Sequence, residues 1–203
     1  MGKIFCIMGK SGSGKDTILK ELVEDQALDL KPVISYTTRP IRYNEQHGIE
    51  YNFIDESMLE KYREAGKIIE RRDYNTINGI WSYCTVDDGQ IDLAKEISYI
   101  LILTLEAYGN LQKYFGADYV VPIYITVDDG IRLERAIKRE QQQEKPNYEE
   151  LCRRFLADST DFSLSKLQAC GIIKQYSNEN FHECLSYIKA TIGESAKLEN
   201  KKI

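Results

Sequence analysis

The sequence has no surplus of positive charge, no cysteine framework and no long apolar run. Lysine and arginine number 27 against 32 aspartates and glutamates, a net charge of −5, so bulk nucleic-acid binding is not expected. Any anion must be gripped by a local cluster of arginines and lysines. Cys6, Cys84, Cys152, Cys170 and Cys184 form neither a C-x-x-C pair nor a disulfide pattern, which fits buried thiols in a reducing compartment. The early apolar stretch, Ile4 to Gly9, is too short for a signal segment or a membrane span. Cytoplasmic residence without a membrane is the expectation. Repeats are absent, and 203 residues, 42% of them hydrophobic, suffice for one domain with a sizeable core.

What is present begins with KIFCIM, Lys3 to Met8, an apolar run that reads as a buried strand. It feeds GKSGSGKDT, Gly9 to Thr17, which fits the phosphate-binding pattern G-x-x-x-x-G-K-[ST] except at Asp16, where a hydroxyl residue is due. In such loops the glycines let successive N–H groups face phosphate oxygens, the next helix aims its positive end at the same charge, and the lysine, Lys15, bridges the terminal phosphates. Ile18, Leu19, Leu22 and Val23 mark the apolar face of that helix. Asp16 is a hard oxygen ligand for Mg2+, directly or through water, and also a negative charge beside a triphosphate.

Apolar runs at Ser98 to Leu105, Tyr119 to Val127 and, more weakly, Ile172 to Tyr176 read as further strands, each followed by a helix. The expected fold is α/β, a mostly parallel central sheet flanked by helices, with core segments about 1–32, 89–127 and 162–203. Two insertions interrupt it, at about 33–88 and about 128–161. The first is polar and tyrosine-rich, with a helix over Asp55 to Ala65 ending at Gly66. The second carries two helical patterns parted by Pro146, and Asn147 with Glu150 resembles a capping pair. Its Arg132, Arg135 and Arg139 are spaced to share a helix face opposite Leu133, Ala136 and Ile137. That face suits either a solvated basic stripe or an anion grip.

In the first insertion, SYTTRPIRYNEQHGIEYNFI supplies Arg39 and Arg42 in a turn-rich context, then Tyr51. Paired guanidiniums suit bidentate contact with a phosphate, and equally a solvated loop. Glu70 follows Ile68 and Ile69, where a buried carboxylate can accept two N–H bonds from a base edge. With these residues in order, the chain resembles guanylate kinase over nearly its whole length, through GKSGSGK, S-x-T-T-R-P-x-R-x-x-E-x-x-G-x-x-Y-x-F and G-x-x-x-E. The resemblance implies a phosphate-loop kinase with acceptor-binding and lid insertions, using ATP with Mg2+ and GMP. It implies ATP contacts at Gly9, Lys10, Ser11, Gly12, Ser13, Gly14, Lys15, Asp16 and Thr17, with Asn178 beside the adenine or capping the last helix. For GMP it implies Arg39, Arg42 and Tyr51 on the phosphate and Ser35 and Glu70 on the guanine edge. Lys15, Arg42, Arg135, Arg139 and Arg154 are the implied catalytic cations.

The chain departs from that pattern at three places. Asp16 replaces the usual hydroxyl, with Asp16 itself the candidate metal ligand. Thr104 and Glu106 in LTLEAYG replace two aspartates, leaving Glu106 as the acidic group at a strand's end. GIWSYCT replaces a Tyr-Tyr-Gly-Thr stretch, so Trp81 stands for a phosphate-binding tyrosine unless Tyr83 serves instead. Two alternatives follow: a kinase resembling ribose 1,5-bisphosphate phosphokinases, or a binding module without turnover. A monomer or homodimer is expected.

Overall fold

The computed structural model describes residues 2–42, 45–76 and 79–197. In chain order the elements are β1 (Ile4–Met8), α1 (Lys15–Glu24), β2 (Leu30–Pro32), β3 (Tyr36–Thr37), β4 (Asn52–Phe53) and α2 (Glu56–Glu64). Then come β5 (Ile68–Thr76), β6 (Gly79–Val86), β7 (Ser98–Ile102), α3 (Leu105–Phe115) and β8 (Val120–Thr126). The chain closes with α4 (Asp129–Gln141), α5 (Tyr148–Asp161), α6 (Leu164–Ala169), β9 (Gln175–Ser177) and α7 (Phe181–Lys197).

Five strands form a parallel sheet in the order β2-β7-β1-β8-β9. β1 lies at its centre with all five residues buried, and their alternation splits the core into two layers. Ile4, Cys6 and Met8 pack with Tyr108 and Leu111 of α3 and Leu167 of α6. Phe5 and Ile7 pack with Ile18 and Leu22 of α1 and Ile188 of α7. Each such aliphatic side chain removed from water contributes about 1.5–3 kcal/mol. Because the strands are parallel, the loops at their carboxyl ends meet along one edge: residues 9–14, Thr104, Asp128 and Asn178.

A second, four-stranded sheet has the order β4-β3-β6-β5, with β5 and β6 an antiparallel hairpin carrying a register shift between Ile68 and Glu70. Period-two alternation gives it two unlike faces. Tyr36, Cys84 and Val86 pack against Leu59 of α2. The other face pairs Glu70 with Thr85, Arg72 with Tyr83 and Tyr74 with Trp81. Asp55 caps α2 by accepting from the Met58 N–H at 2.8 Å.

Several expectations change in detail. The strand predicted to Leu105 stops at Ile102, because Thr104 caps α3 by accepting from the Ala107 N–H at 3.3 Å. The weak run at Ile172 yields a strand only from Gln175, and Ile172 joins the core beside α6 instead. Asn147 does cap α5, accepting from the Glu150 N–H at 3.0 Å, but the return bond of a capping pair comes from elsewhere. Buried Glu140 accepts from the Asn147 N–H at 2.7 Å, while Glu150 pairs with Arg153. All five cysteines are free, yet Cys152 is exposed and Cys170 half-buried rather than buried. The buried line of α4 is Arg132, Ala136 and Glu140, so Arg132 parts from Arg135 and Arg139, which are exposed.

Candidate active site

The turn between β1 and α1 is shaped by two glycines in the left-handed region, Gly12 at φ 79° and Gly14 at φ 87°. A Cβ at Gly12 would lie 2.9 Å from the Arg132 carbonyl oxygen, and one at Gly14 2.5 Å from Asn178 Nδ2. The loop is therefore pressed against α4 and the end of β9. Four successive carbonyls are each held by a side chain, the first by the loop's own lysine and the other three from outside the loop. Lys10 O accepts from Lys15 Nζ at 3.1 Å and Ser11 O from Arg132 Nη1 at 2.8 Å. Gly12 O accepts from Arg135 Nη1 at 3.4 Å and Ser13 O from Asn178 Nδ2 at 2.8 Å. Fixing the carbonyls fixes the peptide planes that carry the loop's N–H groups. α1 starts with no side-chain bond to its first turn, which leaves its N-terminal N–H groups and positive dipole end for an anion.

Lys15 is half-buried, and that burial pushes its pKa down against the opposing charges of Asp16 and Asp158. Asp16 and Thr17 are exposed in the first turn of α1. Asn178 is 3% exposed, and its N–H donates to Thr126 O at 2.8 Å. It does not cap α7: Asn180 does, accepting from the Glu183 N–H at 3.3 Å. Ser13 Oγ and Asn178 Oδ1 are buried without a partner among the described residues. Unpaired polar atoms of this kind are rare in folded proteins, and here they cluster at the loop.

On the polar face of the second sheet, Arg39 is 4% exposed and clasped by Glu45 through bonds of 2.6 and 2.7 Å. Its Nε donates to Tyr83 Oη at 3.1 Å, and its Nη1 also donates to Pro40 O at 3.0 Å. These contacts use four of the five guanidinium donors. The cation also lies over the rings of Tyr51 and Phe53, 5.1 and 5.3 Å from their centroids. Tyr51 meets Tyr83 edge-on at 5.6 Å, and its hydroxyl pKa is raised by burial, with Asp16 close enough to add to the shift. Arg42 is exposed beside this cluster, and Ser35 half-buried at the start of β3. The tyrosine that reaches Arg39 is thus Tyr83, while Trp81 lies opposite Tyr74 farther along the hairpin.

Glu70 is 3% exposed and already accepts three bonds: from Arg72 Nε at 2.9 Å, Arg72 Nη2 at 3.2 Å and Thr85 Oγ1 at 2.9 Å. Arg72 reaches on to Thr104 Oγ1 at 3.5 Å, joining the hairpin to the start of α3. A cavity of about 620 Å³ opens there, lined by Arg72, Tyr74, Thr104, Glu106, Lys166 and Cys170 among others. Glu106 is exposed in the first turn of α3 rather than at the end of a strand.

Arg139 is exposed on α4, with its charge bearing on Lys15, and Arg154 lies one turn before Asp158 on α5, 3.5 Å from Glu150. Residues that the sequence did not single out for the site prove central: Arg72 and Thr85 around Glu70, Glu45 on Arg39, and Asp158 at the loop beside Arg132. Of these, Thr85 and Arg72 carried a legible signal, since each falls two residues along a strand from a named site residue, Tyr83 and Glu70, and so shares its face. Asp158 carried none.

A parallel α/β core whose first strand runs into a lysine-bearing phosphate loop, beside a polar accessory sheet and a basic helix pair, defines a phosphate-loop kinase. The family model for guanylate kinase matches residues 1–163. The chain is 27% identical over 195 residues to the guanylate kinase of Cupriavidus metallidurans, covering 94% of this chain and 84% of that protein. Against the guanylate kinase of Paraburkholderia xenovorans it is 29% identical over 196 residues, with 94% and 79% covered. The crystal structure of guanylate kinase from Anaplasma phagocytophilum shares the fold, with a TM-score of 0.63 at 21% identity over 96% of this chain and 86% of that one. This chain belongs to the guanylate kinase family and is a phosphotransferase.

Proposed function

We propose that the protein transfers the γ-phosphoryl group of ATP to GMP or dGMP, giving ADP and GDP or dGDP. The observation that supports this most is the loop whose carbonyls from Lys10 to Ser13 are all held by side chains, with Lys15 at its mouth. In the proposed reaction an oxygen of the acceptor phosphate attacks the γ-phosphorus in line. The bond to the oxygen bridging the β and γ phosphates breaks, and ADP leaves. No protein nucleophile is needed. Lys15 and Arg135, Arg139 and Arg154 neutralise charge on the transferring group, and Arg42, Tyr51 and Tyr83 hold the acceptor phosphate with Arg39 as their fixed cationic base. The segments about 33–88 and about 128–161 act as acceptor-binding and lid units that close over the core and exclude water.

Mg2+ fits this reading as an ion carried by ATP. Among the described residues no group of three or more histidine, cysteine or acidic side chains is placed to hold a metal. The exposed Asp16 carboxylate and Thr17 hydroxyl are hard oxygen donors in the first turn of α1, suited to an ion that keeps most of its waters. When bound, the ion supplies positive charge to the triphosphate. No helix among the described residues is long and apolar enough to cross a membrane, and a cytoplasmic setting suits five free thiols.

One observation favours a sugar-phosphate acceptor instead. Glu70 has three of its roughly four lone-pair sites filled, so a guanine edge offering two donors must displace Arg72 or Thr85. ADP release measured with GMP, dGMP, AMP, UMP and ribose 1,5-bisphosphate decides. GMP and dGMP should turn over at least about a hundredfold faster than the rest, in line with a site built to pair polar groups. Preference for the ribose bisphosphate would sink the GMP assignment.

A further inference from the structure

Both polar ends of one loop residue are held by the two helices of the second insertion. The Ser11 N–H donates to Asp158 Oδ2 of α5 at 2.7 Å, and Ser11 O accepts from Arg132 Nη1 of α4 at 2.8 Å. Arg132 and Asp158 also bond each other, at 3.3 Å. Arg132 is 1% exposed, lies 4.6 Å from the centroid of the Phe155 ring and is braced by Asp129 through bonds of 3.0 and 2.8 Å. Lys10 completes the cluster, 3.4 Å from Asp129. A buried guanidinium with this many directed partners has one orientation open to it.

We propose that Arg132 and Asp158 are positioning residues that clamp the peptide groups on either side of Ser11 and so let the lid helices set the loop's grip on the ATP triphosphate. The inference rests on reading residues 9–17 as the ATP site. The Ser11 N–H lies in the peptide plane shared with Lys10 and the Ser11 C=O in the plane shared with Gly12, so α5 and α4 pin two successive planes, and Gly12 is backed by the Arg132 carbonyl with no room for a Cβ. Movement of α4 or α5 is therefore transmitted to the loop without slack. A lone carboxylate here would repel a triphosphate, but the cluster carries two cations, Lys10 and Arg132, against two anions, Asp129 and Asp158. It adds no net charge. The clamp thus fixes geometry while leaving the attraction to Lys15 and the exposed arginines.

The test is calorimetric binding of ATP, in the presence of Mg2+, and separately of GMP, to the full chain and its variants. Asp158→Ala should weaken ATP binding by about tenfold to a hundredfold, the range for losing a charge-assisted bond, and leave GMP binding within about threefold. Asp158→Asn keeps an oxygen for the Ser11 N–H and should recover most of the loss, a rescue that a merely structural role would not give. Arg132→Lys, which keeps the charge but not the fork, should fall between and serves if the alanine variant does not fold. Unchanged ATP affinity in Asp158→Ala overturns the inference. Tighter binding also overturns it, making Asp158 a competitor for the phosphate's place, and so does an asparagine variant no better than alanine. A wild-type chain that binds no ATP overturns the kinase reading and the clamp together. Intact wild-type binding with an indifferent Asp158→Ala overturns the clamp alone.

Discussion

Lys15 bends back across its own loop to donate to Lys10 O, so before any phosphate arrives its ammonium already has a fixed place. Burial lowers its pKa below the ordinary 10.5, because desolvation penalises the charged form more than Asp16 and Asp158 favour it. As pH rises, the ammonium therefore loses its proton earlier than a solvated lysine would. The profile of kcat/KM for ATP should show an alkaline fall beginning below pH 10.5. Since kcat reports the complex, in which phosphate favours the charged form, its fall should lie at higher pH. Matching limbs in the two profiles would argue against Lys15 as the group responsible. At this scale much was legible: the spacing of Gly9, Gly14 and Lys15 announces the loop. What Asp16 does there was not legible, because its consequence depends on where the side chain points, and it points to solvent.

The β5–β6 hairpin turns alternate residues into one polar surface, which carries the contacts of Glu70 with Arg72 and Thr85 and of Tyr83 with Arg39. Arg72 spans from Glu70 to Thr104, so the hairpin and the start of α3 are joined through one cation. Removing it by Arg72→Ala leaves the Glu70 carboxylate buried beside Thr85 without its countercharge. Breaking a buried pair from one side typically costs about 3–5 kcal/mol, shared between folding and ligand binding. The expected result is a lower urea midpoint together with a KM for GMP raised about tenfold or more, while the KM for ATP stays near wild type. A change confined to ATP would place Arg72 elsewhere in the mechanism. Helix periodicity revealed α2, α4 and α5, since apolar spacing and caps are local signals. It misassigned Arg132, because a guanidinium over Phe155 between two carboxylates belongs to the interior and only the partners reveal it.

The whole molecule brings three features distant in sequence to one edge: the carboxyl ends of the parallel strands, the polar face of the accessory sheet and the helices α4 and α5. ATP binding at a site shared by core and lid helices should stabilise them together. At a hundredfold excess over Kd the gain is about 2.7 kcal/mol, which for a chain of this size corresponds to a rise in Tm of roughly 5–10 °C. Scanning calorimetry with and without ATP in Mg2+ checks it, and AMP, which lacks the β and γ phosphates that the loop is proposed to hold, should give much less. The sequence by itself determined the α/β class, the strand–glycine turn–helix order at its start and the family, because apolar period, glycine spacing and motif order are properties of neighbouring residues. Tertiary structure alone decided that Tyr83 rather than Trp81 meets Arg39, that Arg72 fills the place beside Glu70, and that Asp158 reaches Ser11. The Tyr83 and Asp158 contacts join elements distant in sequence, and the Arg72–Glu70 pair, two residues apart on β5, shows itself only because that face is buried; strand register, helix packing and burial set these side-chain directions.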